Sequence, residues 1–121
     1  DDWDALVWDI PNVKNNHPEK VEHPCQYPVE LAERCILALT NEGDIVYDPF
    51  AGVGSSLVAA LKNGRRAYGS EWERKFVDTG LDRLRKLREG PLLTRPIHRE
   101  IWRPRPGDKI ARVPEEWTQA Q

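Results

Sequence analysis

The sequence contains no methionine and only two cysteines, Cys25 and Cys35. A disulfide-stabilised scaffold uses more cysteine than this, so both residues are predicted to be reduced thiols. Cys35 falls in an apolar helical pattern, which predicts that it belongs to the core. His17, His23 and Cys25 lie close together, but their spacing fits no zinc-ligand pattern and a fourth ligand is missing. No metal site is therefore predicted.

Neither sign of charge predominates, and long apolar runs are absent. The chain has 18 basic and 20 acidic residues and a net charge of −2, so it has no general attraction for nucleic acid. Its apolar runs are too short for a transmembrane helix, and no secretory signal begins the chain, so a soluble cytoplasmic protein is expected. Because no initiator methionine is present, we expect Asp1 to be an internal position of a longer protein. A processed terminus is the alternative.

Hydrophobic periodicity predicts one domain of alternating helices and strands. A helix is expected to begin at Pro28 and to bury Val29, Leu31, Ala32, Cys35, Ile36 and Leu39. Residues 45–47 are predicted to form a buried strand, and 57–61 a helix capped by Ser55 or Ser56 and ended by Asn63 and Gly64. A second strand at 66–70 and an amphipathic helix at 73–88 follow. This alternation indicates an α/β fold with a parallel sheet and right-handed crossovers.

The two ends of the chain are richer in proline. Residues 1–28 are predicted to be irregular, with a short strand at 6–8. The Pro- and Arg-rich residues 91–121 are predicted to form a C-terminal extension, with one strand near 97–102. The remainder, residues 1–90, would then carry the functional site.

The segment DPFAGVGSS, residues 48–56, links the first predicted strand to the following helix. Ligands of open α/β sheets bind beyond the carboxyl ends of the strands. Gly52 and Gly54 allow a tight turn and a close approach of ligand to backbone. The helix start supplies free N–H groups and a partial positive charge that suit an anionic group. The loop is therefore predicted to bind a ligand, with a simple turn as the alternative.

The charged residues near this loop limit the class of ligand. Asp48 would repel a phosphate and attract an ammonium or sulfonium. Ser55 follows the second glycine where a phosphate-binding loop needs lysine, and Leu57 replaces the third glycine of a dinucleotide fold. Glu71 follows the second strand, where a carboxylate can accept hydrogen bonds from ribose hydroxyls. S-adenosylmethionine combines a ribose, a cation and a small anion. Caps for the loop and the next helix are the alternative roles of Asp48 and Glu71.

Four segments resemble bacterial and phage site-specific DNA amino-methyltransferases of the beta class. DPFAGVGSS matches their cofactor loop, Asp-Pro-Phe-x-Gly-x-Gly-Ser/Thr. HPCQYPVELAERCI, residues 23–36, resembles the His-Pro-x-x-x-Pro element and helix that precede this loop. GRRAYGSEW, residues 64–72, resembles the following strand with its ribose-binding glutamate, and KIARVPEEW resembles family C-termini. The resemblance implies part of a Rossmann-like methyltransferase fold, a parallel sheet with flanking helices, that binds S-adenosylmethionine.

The resemblance also implies roles for individual residues. Asp48 is expected near the methionine ammonium and Ser55 and Ser56 near the methionine carboxylate, with Glu71 at the ribose and Trp72 beside the adenine. The full set implied to bind the cofactor comprises the loop residues Asp48, Pro49, Phe50, Gly52, Gly54, Ser55 and Ser56, the strand-end residues Glu71 and Trp72, and an opposite wall of His23, Pro24, Gln26 and Pro28.

The family's catalytic Asp/Asn/Ser-Pro-Pro-Tyr/Phe/Trp motif precedes the cofactor-binding half, and this chain contains no Pro-Pro pair. No catalytic residue is therefore predicted here. The resemblance implies methyl transfer to N6 of adenine or N4 of cytosine in double-stranded DNA, with a missing N-terminal catalytic half as partner and this chain alone inactive. Contacts to DNA phosphates are open to Arg95, Arg99, Arg103 and Arg105, with a solvated tail as the alternative.

Two other functions remain open on the sequence alone. The chain would also fit a standalone cofactor-binding or regulatory module without catalytic activity. A methyltransferase for a small molecule or RNA is the other alternative, although the His-Pro element before the glycine loop argues against it.

Overall fold

The structure is a computed structural model that describes residues 8–90, 92–97, 99–101, 105 and 108. Its elements run in the order α1 (Val29–Leu39), β1 (Ile45–Asp48), α2 (Ser55–Lys62), β2 (Arg66–Gly69) and α3 (Arg74–Glu89). The two strands pair in parallel, with Ile45 opposite Arg66 and Asp48 opposite Gly69. The predicted parallel α/β alternation is confirmed. None of the helices in this part of the chain has the length and apolarity needed to cross a bilayer.

The core lies between α2 and its neighbours. Val58, Ala59 and Ala60 of α2 pack with Val29 and Ile36 of α1, and the inward residues of both strands pack against this cluster. The short alanine side chains let the helices approach closely. The other face of the sheet, formed by Ile45, Tyr47 and Tyr68, is exposed. The prediction that β1 is a buried strand is therefore wrong, because α2 covers only one face and no described residue covers the other.

Helix α1 buries a different face from the predicted one. Val29 and Ile36 are buried as expected, but Leu31, Cys35 and Leu39 are exposed. In their place α1 buries three charged residues, Glu30, Glu33 and Arg34. Glu30 pairs with Arg34 at 3.2 Å and with Arg95, and Glu33 pairs with Lys62 at 2.9 Å. Burial of these charges is tolerated because each has an oppositely charged partner.

The segment 92–97 packs back onto the start of α1. Arg95 is only 6% exposed and its guanidinium pairs with Glu30. The Arg95 backbone N–H donates to one carboxylate oxygen of Glu19 at 2.8 Å, and the Val29 N–H donates to the other at 2.8 Å. Arg95 is therefore not a surface contact for DNA phosphates, and that prediction is wrong.

The remaining predictions for the two ends fall partly outside the described residues. Arg99 and Arg105 are exposed, whereas Arg103 lies outside them. The described part of the predicted strand at 97–102 is not a strand, and of the predicted strand at 6–8 only Trp8 is described, which is not in a strand.

Candidate functional site

The glycine loop begins at the carboxyl end of β1 and is closed by Asp48. One Asp48 carboxylate oxygen accepts the Phe50 N–H at 2.9 Å, and the other accepts the Ser56 hydroxyl. The Tyr27 hydroxyl lies 3.5 Å from the second oxygen. Asp48 thus joins the two ends of the loop, as its alternative role anticipated. Its approach to a methionine ammonium stays a prediction.

Helix α2 begins without a serine cap. Gly54 occupies the N-cap position with φ 76°, in the left-handed region that favours glycine, and Ser55 and Ser56 are already within the helix. The predicted cap is therefore wrong, and both hydroxyls bond elsewhere. Asn63 and Gly64 end α2 as predicted, with Gly64 at φ 73°. The Ser55 hydroxyl donates to the Tyr27 carbonyl at 3.0 Å, so it ties the loop to the His-Pro element, residues 23–28.

The His-Pro element lies directly against Gly52. A Cβ atom at Gly52, which has φ 54°, would lie 3.3 Å from the His23 Nε2 atom. The His23 ring packs on Phe76 at 4.3 Å, and its Nδ1 atom accepts the Cys25 N–H at 3.0 Å. Burial lowers the pKa of His23, and nearby Glu71 opposes that shift. His23 therefore presents a neutral imidazole to the loop near pH 7.

Gln26 shapes the His-Pro element from within. It is buried, its Oε1 atom accepts the Val21 N–H at 3.0 Å, and its Nε2 atom donates to the Glu19 carbonyl at 2.7 Å. These two bonds fold residues 19–26 back on themselves. Pro28 is buried at the N-cap of α1, and Pro24 is exposed. The proline positions therefore set the path of the chain and do not line the cavity described below.

Glu71 links the glycine loop to the start of α3. One carboxylate oxygen accepts the Glu73 N–H at 2.8 Å and the other accepts the Gly52 N–H at 2.9 Å. The hydrogen bond from Glu73, followed by that from Gly52, holds the pKa of Glu71 below its usual value. Glu71 is therefore ionised near neutral pH. A carboxylate has about four acceptor positions, so these bonds still leave Glu71 able to accept a hydrogen bond from a ligand.

A cavity of about 140 Å³ opens where these segments meet. It is lined by His23, Cys25, Gln26, Tyr27, Phe50, Ala51, Gly52, Val53, Ser55 and Glu71. A second cavity of about 110 Å³, which shares Ala51, Gly52 and Glu71, lies between the loop and α3 and also includes Gly54. Phe50 is largely exposed at the rim of the first cavity, and Trp72 beside Glu71 is 99% exposed.

The structure thus brings together about half of the predicted site residues. Six line the first of these two cavities, namely His23, Gln26, Phe50, Gly52, Ser55 and Glu71. Asp48, Pro49, Ser56 and Trp72 adjoin this set in sequence but line neither cavity. In the described part of the chain, no three His, Cys, Asp or Glu side chains gather as a metal site.

Two residues that sequence reasoning missed hold the site together. Tyr27 accepts the Ser55 hydroxyl through its carbonyl and faces Asp48 through its own hydroxyl, and burial raises the pKa of that hydroxyl. Arg83 reaches the loop from α3. Tyr27 could have been suspected because it lies inside the His-Pro element. Arg83 could have been suspected because it follows Gly80 by three positions on the inward face of α3.

Residues 1–82 match the N6/N4-methyltransferase family model, whose description is "DNA methylase". The chain is 44% identical over 72 residues to the type II methyltransferase M.BglII of Bacillus subtilis. That match covers 60% of this chain and 20% of the relative. The chain is also 44% identical over 78 residues to the DNA adenine methyltransferase YhdJ of Escherichia coli K12. This second match covers 64% of this chain and 26% of the relative. The chain therefore spans about a quarter or less of these relatives.

A solved structure supports the fold. The chain superposes on the M1.HpyAVI–SAM complex with a TM-score of 0.52 and 36% identity, over 64% of this chain and 42% of that one. The parallel strand pair with its flanking helices is part of a Rossmann-like fold.

Proposed function

Because the chain belongs to the DNA methylase family, we propose that it is the S-adenosylmethionine-binding part of an enzyme that methylates an exocyclic amine of adenine or cytosine in DNA. The observation that supports this most directly is the cavity at which the His-Pro element, the glycine loop and Glu71 meet. Residues 1–90 would form this cofactor-binding part, at the C-terminal side of the complete enzyme.

The residues around the cavity fit the parts of this cofactor. The ionised Glu71 can still accept a hydrogen bond from the ribose, and its charge together with that of Asp48 favours the sulfonium and ammonium. The start of α2 at Ser55 favours the carboxylate. Phe50 and Trp72 offer exposed ring faces for the adenine. The bound cofactor would supply the methyl group, and these residues would bind and orient it.

The size of the cavity indicates that the site is shared with another part of the enzyme. At about 140 Å³ it is smaller than the ~300 Å³ typical of a pocket that encloses a small molecule. This chain would then form one side of the site. The catalytic tetrapeptide, which requires a Pro-Pro pair that this chain lacks, and most of the DNA surface would lie in the remainder of the enzyme. The target base would be flipped out of the duplex to reach it.

The two exposed cysteines provide a direct test of the cofactor site. Cys25 lines the cavity, whereas Cys35 lies on α1 outside it. S-adenosylhomocysteine should slow alkylation of Cys25 by iodoacetamide and leave the rate at Cys35 unchanged, as measured for each site by mass spectrometry. ATP at the same concentration serves as the control nucleotide. Equal rates at Cys25 with and without S-adenosylhomocysteine would contradict the proposed site.

A further inference from the structure

A buried arginine lies beneath the glycine loop. Arg83 of α3 is only 3% exposed. Gly80, which lies one turn earlier in α3, packs against the backbone of the loop. A Cβ atom on Gly80 would lie 3.5 Å from the Val53 carbonyl carbon and 3.7 Å from the Gly54 nitrogen. The absence of a side chain at Gly80 therefore lets α3 approach closely enough for Arg83 to reach the loop.

One nitrogen of Arg83 connects all three segments of the site. Its Nη1 atom donates to the Val53 carbonyl at 2.7 Å and to the Ser55 hydroxyl oxygen at 3.2 Å. The same Ser55 hydroxyl donates to the Tyr27 carbonyl of the His-Pro element. A movement of Arg83 would therefore disturb the loop, the start of α2 and the His-Pro element together.

The charge of Arg83 is poorly compensated. Its Nη2 atom is buried and has no hydrogen-bond partner among the described residues. Burial lowers the pKa of Arg83, and the attraction of Glu19 and Tyr27 only opposes this shift. Arginine nevertheless stays protonated in proteins. A buried cation without a close anionic partner is costly, and such a charge is favourable when an anionic group binds nearby.

We propose that Arg83 is a positioning residue that fixes the loop and whose charge selects the carboxylate of the cofactor's amino-acid part. This proposal rests on the proposed function. It makes Arg83, which does not line the cavity, the source of the preference for an anionic ligand group. Arg83 acts through Ser55 and the start of α2, which it holds in place.

The test compares two ligands that differ in one group. S-adenosylhomocysteine carries the carboxylate, and its decarboxylated analogue S-adenosyl-3-thiopropylamine keeps every other part. Because Arg83→Gln removes both the contacts that fix the loop and the charge, it should weaken the binding of both ligands, but the affinity for S-adenosylhomocysteine should fall about tenfold more than that for the analogue. The dissociation constants are measured by calorimetry. Arg85→Gln, on the same helix but exposed and bonded to Asp82, is the matched control and should change neither.

Equal losses for both ligands, or no loss for either, would overturn the charge selection by Arg83. If Arg83→Gln does not fold, Arg83→Lys keeps the charge and should preserve the ratio of the two affinities, and loss of that ratio would overturn the proposal. If the parent chain bound neither ligand, that result would contradict the proposed function, and the inference about Arg83 would fall with it.

Discussion

At the scale of single residues, Gly52 determines how closely the two sides of the site approach. Its φ of 54° is unfavourable for a β-branched residue, and any Cβ would meet His23. Gly52→Val should abolish binding of S-adenosylhomocysteine and lower the free energy of unfolding by about 1–3 kcal/mol. Calorimetry and denaturant unfolding measure the two effects.

Gly43→Val is the matched control for this change. Gly43 also has a positive φ, of 85°, but among the described residues no heavy atom beyond its two chain neighbours lies within 4 Å of its Cβ position. The Gly43→Val variant should lose stability through backbone strain and should bind S-adenosylhomocysteine as tightly as the parent chain. If Gly52→Val bound as well as the parent chain, the loop would not be the ligand site.

Glu71 provides the second prediction at this scale, because its carboxylate both ties down Gly52 and remains available to a ribose. Glu71→Ala should weaken S-adenosylhomocysteine binding about tenfold to a hundredfold, since a hydrogen bond to a charged group contributes roughly 1.5–3 kcal/mol. Glu71→Gln should recover part of the loss because its single carbonyl oxygen still accepts. If calorimetry showed that both variants bind S-adenosylhomocysteine as tightly as the parent chain, Glu71 would serve only as a structural link between the loop and α3.

The free energy of unfolding should depend on pH because of His23. Its pKa in the folded chain lies below the ordinary value of 6.5 because burial disfavours the charged imidazole. Between these two pKa values the unfolded chain binds more protons, so the free energy of unfolding should rise with pH in the window just below 6.5. His23→Asn, which keeps an acceptor for the Cys25 N–H, should flatten this rise. Urea unfolding at several pH values measures it, and an unchanged slope in the variant would show that another group titrates.

At the scale of elements, the segment 92–97 belongs to the folded unit through Arg95. Replacing Arg95 with methionine leaves Glu30 buried with Arg34 as its remaining partner. The free energy of unfolding should fall by about 3 kcal/mol, the lower end for a broken buried pair. Arg99→Met, at an exposed arginine four positions later, should change it by less than about 0.5 kcal/mol. Equal effects in the two variants, measured by denaturant unfolding, would contradict the buried role of Arg95.

Element boundaries could be predicted from the sequence better than buried faces. Pro28 marks the start of α1 and Gly64 the end of α2 by their backbone preferences, which are local. The inward face of α1 could not be predicted because Glu30 and Glu33 are buried against partners on α2 and beyond α3, which are distant in sequence. The roles of Tyr27 and Arg83 were not predicted for the same reason, since both residues act through contacts with a loop that is distant from them in sequence.

At the scale of the whole molecule, the exposed side of the sheet indicates where the rest of the enzyme would pack. Ile45, Tyr47 and Tyr68 form this side, and no described residue covers it. A parallel sheet normally has both faces covered. The chain spans only 20% and 26% of two relatives, so most of a complete enzyme of the proposed kind would lie outside this chain and would supply further strands and the covering helices. We therefore expect the open sheet to be a contact surface for that remainder.

Complementation with the rest of the proposed enzyme tests both this contact surface and the proposed activity. Mixed with a separately expressed N-terminal half of a close relative, the chain should become more stable to heat and should support transfer of tritiated methyl groups from S-adenosylmethionine to duplex DNA. Each piece alone should be inactive. Ile45→Lys, at an exposed position of the open sheet, should weaken this complementation because it would bury an unpaired charge in the contact. Robust transfer by the 121-residue chain alone would refute the shared site, since some residue here would then have to do the work of the missing tetrapeptide.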